Sequence, residues 1–314
     1  MGLSNTTRGY ILSMLAFGFF STHDAIIKVI GAHYSVFQII LFSSLFAFIP
    51  LTVMMMMDRN LSNYRPRHPW LIALRSVLSV VGMSSAFYAF TVLPMTEVYA
   101  LLFITPLLIT ALSVPLLGEV VRLQRWMAII VGLIGVMVVL RPGSAEFSYG
   151  HGAALVAAFT SAMTSIIIRK IGSEERSAVL ILIPMISSIA VMAAVMPFVY
   201  IPVQLPHLGM MALVGVFAVG AQVSIIGAYR VAPSVALIAP VQYTQILWAT
   251  LFGVLFFGEA PDKWVAIGAS IIISSGLFIV WRESHSSTSD THPVLRTSNP
   301  RPDTGPSIKP KSIN

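Results

Sequence analysis

Ten apolar runs of about 20 residues, divided by short polar connections, leave this 314-residue chain little choice of solvent. A helix of that length spans the hydrocarbon of a bilayer. Within lipid it must also satisfy its own backbone, so an all-α membrane protein of ten transmembrane helices is predicted. The runs fall at about 9–31, 35–57, 70–92, 95–117, 123–141, 150–171, 178–200, 207–230, 234–257 and 262–282. Only 10% of the residues are charged and 56% are hydrophobic, whereas a soluble domain carries about a quarter charged. Leu93-Pro94 and Ala232-Pro233 mark the tightest turns, because proline disfavours helix in the residue before it. The first run holds His23, Asp24 and Lys28 and no small-x-small cleavage site, so it reads as a retained helix and not as a signal peptide.

The formal net charge of +7 does not point to nucleic acid, because the basic residues are scattered between apolar runs. They are also sorted by side. Arg8, Arg59, Arg65, Arg67, Arg122, Arg125, Arg169, Lys170, Arg176 and Arg230 flank one face of the layout, joined by the basic residues of the tail. Lys28, Arg141 and Lys263 flank the other. The positive-inside bias then puts both termini in the cytoplasm of a bacterial cell and the chain in its inner membrane. Residues 1–8 are read as a cytoplasmic N-terminus. Residues 283–314, rich in Ser, Thr, Pro and basic residues, read as a disordered cytoplasmic tail.

The chain also resembles itself at an offset near 141. Gly9, Ala16, Ile26, Ile27, Ile30 and Gly31 are matched by Gly150, Ala157, Ile167, Ile168, Ile171 and Gly172, and Lys28 by Arg169. Gly118-Glu119 before Trp126 is matched by Gly258-Glu259 before Trp264, and Arg141 by Arg282. The predicted units are 9–141 and 150–282, five helices each. Five crossings are an odd number, so the second unit enters the membrane from the opposite side, as in the inverted repeats of secondary transporters.

The ten-helix layout, the five-plus-five duplication and the paired Gly-Glu turns resemble the drug/metabolite transporter superfamily, EamA type. Most of the likeness lies in 86–142 and its second copy at 227–282. The chain departs from that pattern in its second helix, where Phe42-Ser43-Ser44 stands at a place the family often gives to arginine. The resemblance implies a carrier with a central site lined by the first, third, fourth, sixth, eighth and ninth helices. It also implies a small organic substrate, with riboflavin uptake the leading expectation. S-adenosylmethionine uptake and amino-acid or drug efflux are alternatives. A non-transporting membrane scaffold is the rival class.

Ionisable groups inside a membrane are expensive and are candidates for function. Asp24 and Lys28 share one face of the first helix with Ser21, beside His23. Asp24 and His23 read as substrate-binding, Asp24 and Lys28 as coupling or gating groups. A structural ion pair is the alternative. Arg75 either clamps an anionic substrate group or snorkels to the interface. Glu97 opens the fourth helix, as a gate or as a partner of the helix dipole. Glu119 and Glu259 read as structural caps. Gln222, Tyr229, Gln242, Tyr243, Gln245 and Trp248, with Tyr88 and Tyr99, complete the substrate-binding set, because amides and rings suit a flat, ring-bearing ligand.

Gly220, Ser224 and Ala228, and likewise Ala266, Ser270 and Ser274, read as close-packing stripes. No catalytic residue, metal site or cofactor is predicted. There is no cysteine, no Gly-rich loop ending in Lys-Ser/Thr and no zinc-protease or nucleophile-elbow motif. The expected partners are the substrate, the bilayer and a second copy of the chain.

Overall fold

The structure is a computed structural model describing residues 5–56, 65–119, 121, 123–141, 147–171, 174–175, 177–231, 239–260 and 262–285. Among them all regular structure is helical: α1 (Asn5–Gly31), α2 (Val36–Met56), α3 (Pro69–Val92), α4 (Met95–Leu102), α5 (Thr105–Leu117), α6 (Leu123–Leu140), α7 (Tyr149–Ile171), α8 (Ser177–Val199), α9 (Leu205–Val231), a 3-10 turn (Ala239–Thr244), α10 (Gln245–Phe257) and α11 (Lys263–His285). Eight spans are long and apolar enough to cross a membrane, with α4 and α5 forming one of them. Val36–Thr52 and Lys263–Ile279 add two shorter apolar helices. The expected tail boundary shifts, since α11 continues through Glu283–His285. The rest of that tail, like the Ala232-Pro233 turn, lies outside the described residues.

The run expected to be one helix over 95–117 is broken at Phe103 and Ile104. Pro106 has no N–H to give the Leu102 carbonyl, and the Thr105 hydroxyl donates to that carbonyl instead at 2.7 Å. The second-half counterpart is irregular at the same place, where the 3-10 turn leads into α10. Both α5 and α10 are 13 residues long and end on a left-handed glycine, Gly118 (φ 70°) and Gly258 (φ 63°). The following N–H then reaches back six residues, Glu119 to the Ser113 carbonyl at 3.3 Å and Glu259 to that of Gly253 at 2.9 Å. These bonds close each helix end over a glycine in the left-handed region, where a residue with a Cβ is strained.

Helix α1 packs along α9, α3 along α7, and α6 along α11, while α2 lies against α8 and α9. The α6–α11 seam is closed by backbone contact, since a Cβ on Gly135 would stand 2.9 Å from the Gly268 carbonyl oxygen. The small-residue stripe expected on the last helix is a misreading. Ala266, Ser270 and Ser274 face outward, and the packed face carries Val265, Gly268, Ala269, Ile272 and Ser275. Small residues can also face lipid, so size alone did not fix the face. On α9, Ala228 is buried, and a Cβ on Gly220 would stand 3.5 Å from the ring of Phe19.

The centre of the bundle is α4. Met95, Val98, Tyr99, Ala100 and Leu101 are closed off from the surface and packed among α7, α10 and α11. Gly135→Ala is expected to lower the thermal midpoint in detergent, with an overpacking cost of about 1–3 kcal/mol. Gly152→Ala, where a Cβ meets nothing within 4 Å, is expected to leave the midpoint unchanged or raise it slightly. Equal midpoints for the two variants would remove the backbone seam as a stabilising feature.

Candidate functional site

The first helix carries its polar residues on the side turned towards α4. Asp24 and Ser21 are buried there, and the Tyr99 hydroxyl of α4 donates to Asp24 Oδ2 with Ser21 Oγ at 3.3 Å. His23 Nδ1 lies 2.9 Å from Asp24 Oδ1, and its ring meets Phe87 of α3 edge-on at 5.6 Å. Four side chains from three helices thus close around one carboxylate. A hydrogen bond to a charged group contributes about 1.5–3 kcal/mol, and its removal leaves the buried group uncompensated. The cluster can hold a charge at membrane depth, exchange a proton, or present an anion to a cationic ligand.

From this carboxylate a row of rings crosses to the ninth span. Phe90 packs on Tyr99 at 5.3 Å, Tyr99 on Phe103 at 6.2 Å, and Phe103 edge-on to Tyr243 at 5.0 Å. Tyr243 fits because position 276 is glycine, where a Cβ would fall 2.0 Å from its hydroxyl. Gln242 and Gln245 are buried beside Tyr243 in the chain, and Gln222 is buried on α9. Gln222 Oε1 and Gln245 Nε2 have no hydrogen-bond partner among the described residues, one an acceptor and the other a donor. Leaving an amide group unsatisfied costs about 1–3 kcal/mol, which a ligand or water bonded there recovers. The Trp248 ring lies over Gly18 of α1, 3.6 Å from the place of a Cβ. Tyr229 packs with Ala16, Phe17 and Phe20 of the same helix.

The remaining candidates separate from this centre. Lys28 reaches away from Asp24 to Glu259 at 2.6 Å and to the Leu93 carbonyl. Glu97 pairs with His151 of α7 at 2.7 Å. The Ser148 N–H donates to His151 Nδ1 at 3.0 Å, which puts the proton on Nε2, facing Glu97. Arg75 is buried within the bundle. It donates through Nη1 to the carbonyl of Leu180, the one left open by Pro184 four residues on in α8. Its Nε has no partner among the described residues.

Tyr88 is a misplacement. It lies on the outward stripe of α3 with Trp70, Leu74, Val77, Val81 and Val92, and its ring is turned from the centre.

Four residues have partners that the sequence reading did not assign. Glu119 and Glu259 are ion-pair partners of Arg169 and Lys28 as well as helix-end residues. His151 is buried and pairs with Glu97. Gln38 is buried and bonds both ways with the backbone of Ile201, at 2.7 and 3.1 Å. The 141-residue spacing of Lys28 and Arg169 was the available signal for the first of these.

Tyr99→Phe is expected to destabilise the detergent-solubilised protein by about 1–3 kcal/mol, and by much less in an Asp24→Asn background. Thermal melts of the four members of the cycle measure this. Additive losses would mean that Tyr99 and Asp24 do not depend on each other.

The profile of the EamA-like transporter family matches residues 7–141. The S-adenosylmethionine uptake transporter of Rickettsia prowazekii (strain Madrid E) is 28% identical over 86% of this chain and 91% of its own length. The riboflavin transporter of Vibrio cholerae serotype O1 is 30% identical over 68% of this chain and 72% of its own. The pseudopaline exporter CntI of Pseudomonas aeruginosa (strain UCBPP-PA14) is 24% identical over 84% of this chain and 93% of its own. A solved structure described only as the crystal structure of a protein aligns with a TM-score of 0.56 at 19% identity. It covers 88% of this chain and 98% of its own, a likeness of fold. The matched proteins are transporters and not enzymes, and their bacterial sources agree with a multi-pass inner-membrane protein acting on a small molecule. On a 30% identical relative covered over 72% of its length, and a family match through the first 141 residues, the chain belongs to the EamA-like transporters of the drug/metabolite transporter superfamily.

Proposed function

We propose that this transporter is a secondary carrier working by alternating access. Two inverted five-helix repeats, 9–141 and 150–282, enclose a substrate site near the bilayer midplane, and both chain termini lie in the cytoplasm. One observation carries the reading. The helix contacts survive a shift of five spans: α1 on α9 becomes α7 on α3, and α2 on α9 becomes α8 on α3. The broken fourth and ninth spans, with their matched 13-residue second halves, follow the same exchange. Two equivalent halves supply two equivalent arrangements, one open to each side.

The substrate proposed is S-adenosylmethionine, taken up. The sequence reading leaned to riboflavin. Relatives named for S-adenosylmethionine uptake align over 84–86% of this chain, against 68–71% for those named for riboflavin. The site chemistry agrees. The Asp24 carboxylate complements a sulfonium or ammonium group, rings at Phe103, Tyr243 and Trp248 suit both adenine and a cation, and the open amides of Gln222 and Gln245 suit the edge of a base. Riboflavin is the second reading, favoured by a 30% identical relative and by the uncharged amides.

Proteoliposomes holding the purified full-length chain are expected to accumulate radiolabelled S-adenosylmethionine faster than empty vesicles. Asp24→Asn is expected to slow uptake at least about tenfold, the ratio of one lost interaction of about 1.4 kcal/mol. Riboflavin uptake without S-adenosylmethionine uptake would reverse the order of the two substrates. No movement of either would leave the substrate proposal without support and favour a scaffold.

A further inference from the structure

We propose that Lys28–Glu259 and Arg169–Glu119 are the two latches of the transport cycle, one at each end of the bundle. The inference rests on the alternating-access reading and adds residues that no part of the substrate site requires.

The two pairs are one device used twice. Lys28 lies near the end of α1 and Arg169 near the end of α7, 141 positions apart. Glu119 follows the left-handed Gly118 that ends α5, and Glu259 the left-handed Gly258 that ends α10, 140 positions apart. Each cation holds the acid of the opposite half. Lys28 of the first half pairs with Glu259 of the second at 2.6 Å, and Arg169 of the second pairs with Glu119 of the first.

Because α1 and α7 run oppositely through the bundle, the pairs fall at opposite ends. The Lys28 pair shares its end with the α3–α4 turn, where Lys28 also donates to the Leu93 carbonyl and Glu259 Oε2 accepts the Met95 N–H at 3.0 Å. One contact therefore ties α1, the α3–α4 turn and the end of α10 together.

Burial supports a latch over a fixed strut. The side chains are 12% and 17% exposed in the Lys28 pair, and 9% and 20% in the Arg169 pair. Both pairs sit at the rim, neither sealed in the core nor free in water. An ion pair at such a place is held when the end is closed. When the end opens, water reaches both charges and repays their separation, so neither state carries an unpaired buried charge. Both pairs are formed in this structure. An alternating carrier opens one end while the other is shut, so losing one latch must favour closure of the other.

The chain has no cysteine, so an introduced pair supplies the only thiols. The test measures the rate of disulfide formation under a mild oxidant in full-length Glu119→Cys/Arg169→Cys reconstituted in liposomes. It is read with the Lys28–Glu259 pair intact and after Lys28→Gln/Glu259→Gln. The latch account expects the second rate to be several-fold higher, because the opened end biases the other towards closure. An equal or lower rate overturns it, since static struts do not communicate across the bundle.

This readout needs no substrate, so it stands apart from any failure of the substrate proposal. A charge-exchanged Lys28→Glu/Glu259→Lys protein guards against misfolding, with the disulfide rate expected to return towards that of the intact pair. If it stays at the neutralised value, the pairing itself is not what matters and the proposal fails. Where a substrate is identified, the Lys28→Cys/Glu259→Cys disulfide is expected to stop its exchange and reductant to restore it. Full exchange by the cross-linked protein overturns the latch while leaving the carrier reading intact.

Discussion

Lipid offers no hydrogen-bond partner, and the placement of nearly every polar group in this protein answers to that lack. Proline inside a membrane helix opens a carbonyl, and two of those opened here receive a side-chain donor. Pro184 frees Leu180, which receives Arg75 and so binds α3 to α8. Pro106 frees Leu102, which takes the Thr105 hydroxyl and lets the fourth span break beside the site. Serine and threonine elsewhere bond back to the preceding turn, as Ser13, Ser43, Thr110 and Ser165 do, and so cost the bundle little. Among the buried side-chain atoms that find no partner among the described residues, the amides of Gln222 and Gln245 are the ones proposed to meet a ligand.

The same constraint explains what could be read from the sequence. Apolar runs long enough to cross lipid are visible as runs, and each of them carries a helix. Intramembrane charges are rare enough that Asp24, Lys28, Arg75 and Glu97 were found by inspection. Partners were not. Whether Lys28 answers Asp24, four residues away, or Glu259, at the far end of the chain, depends on which helices meet. No spacing within α1 decides it. Tyr88 and the Ala266–Ser274 stripe failed for a related reason: in lipid both faces of a helix are apolar, so the amphipathic pattern that orients a soluble helix is missing. The break at Phe103 was legible in principle from Thr105-Pro106, but a proline in a helix's first turn is also ordinary.

Matched pairs supplied what single positions could not. Lys28 with Arg169, Glu119 with Glu259, and Gly118 with Gly258 each look unremarkable alone. Together they relate contacts at opposite ends of one bundle, and they turn residues first read as helix caps into candidates for the moving parts. In this account the central carboxylate and rings decide what is carried, and the paired ends decide when each side opens.

The central claim is that the two halves enter the bilayer from opposite sides. The measurement that reaches it most directly is labelling of single cysteines by a membrane-impermeant thiol reagent in sealed vesicles, at Asn5→Cys, Phe147→Cys and His285→Cys. The account predicts that the first and last are modified from one side and Phe147→Cys only from the other, as five crossings per half require. Modification of all three from the same side would contradict it.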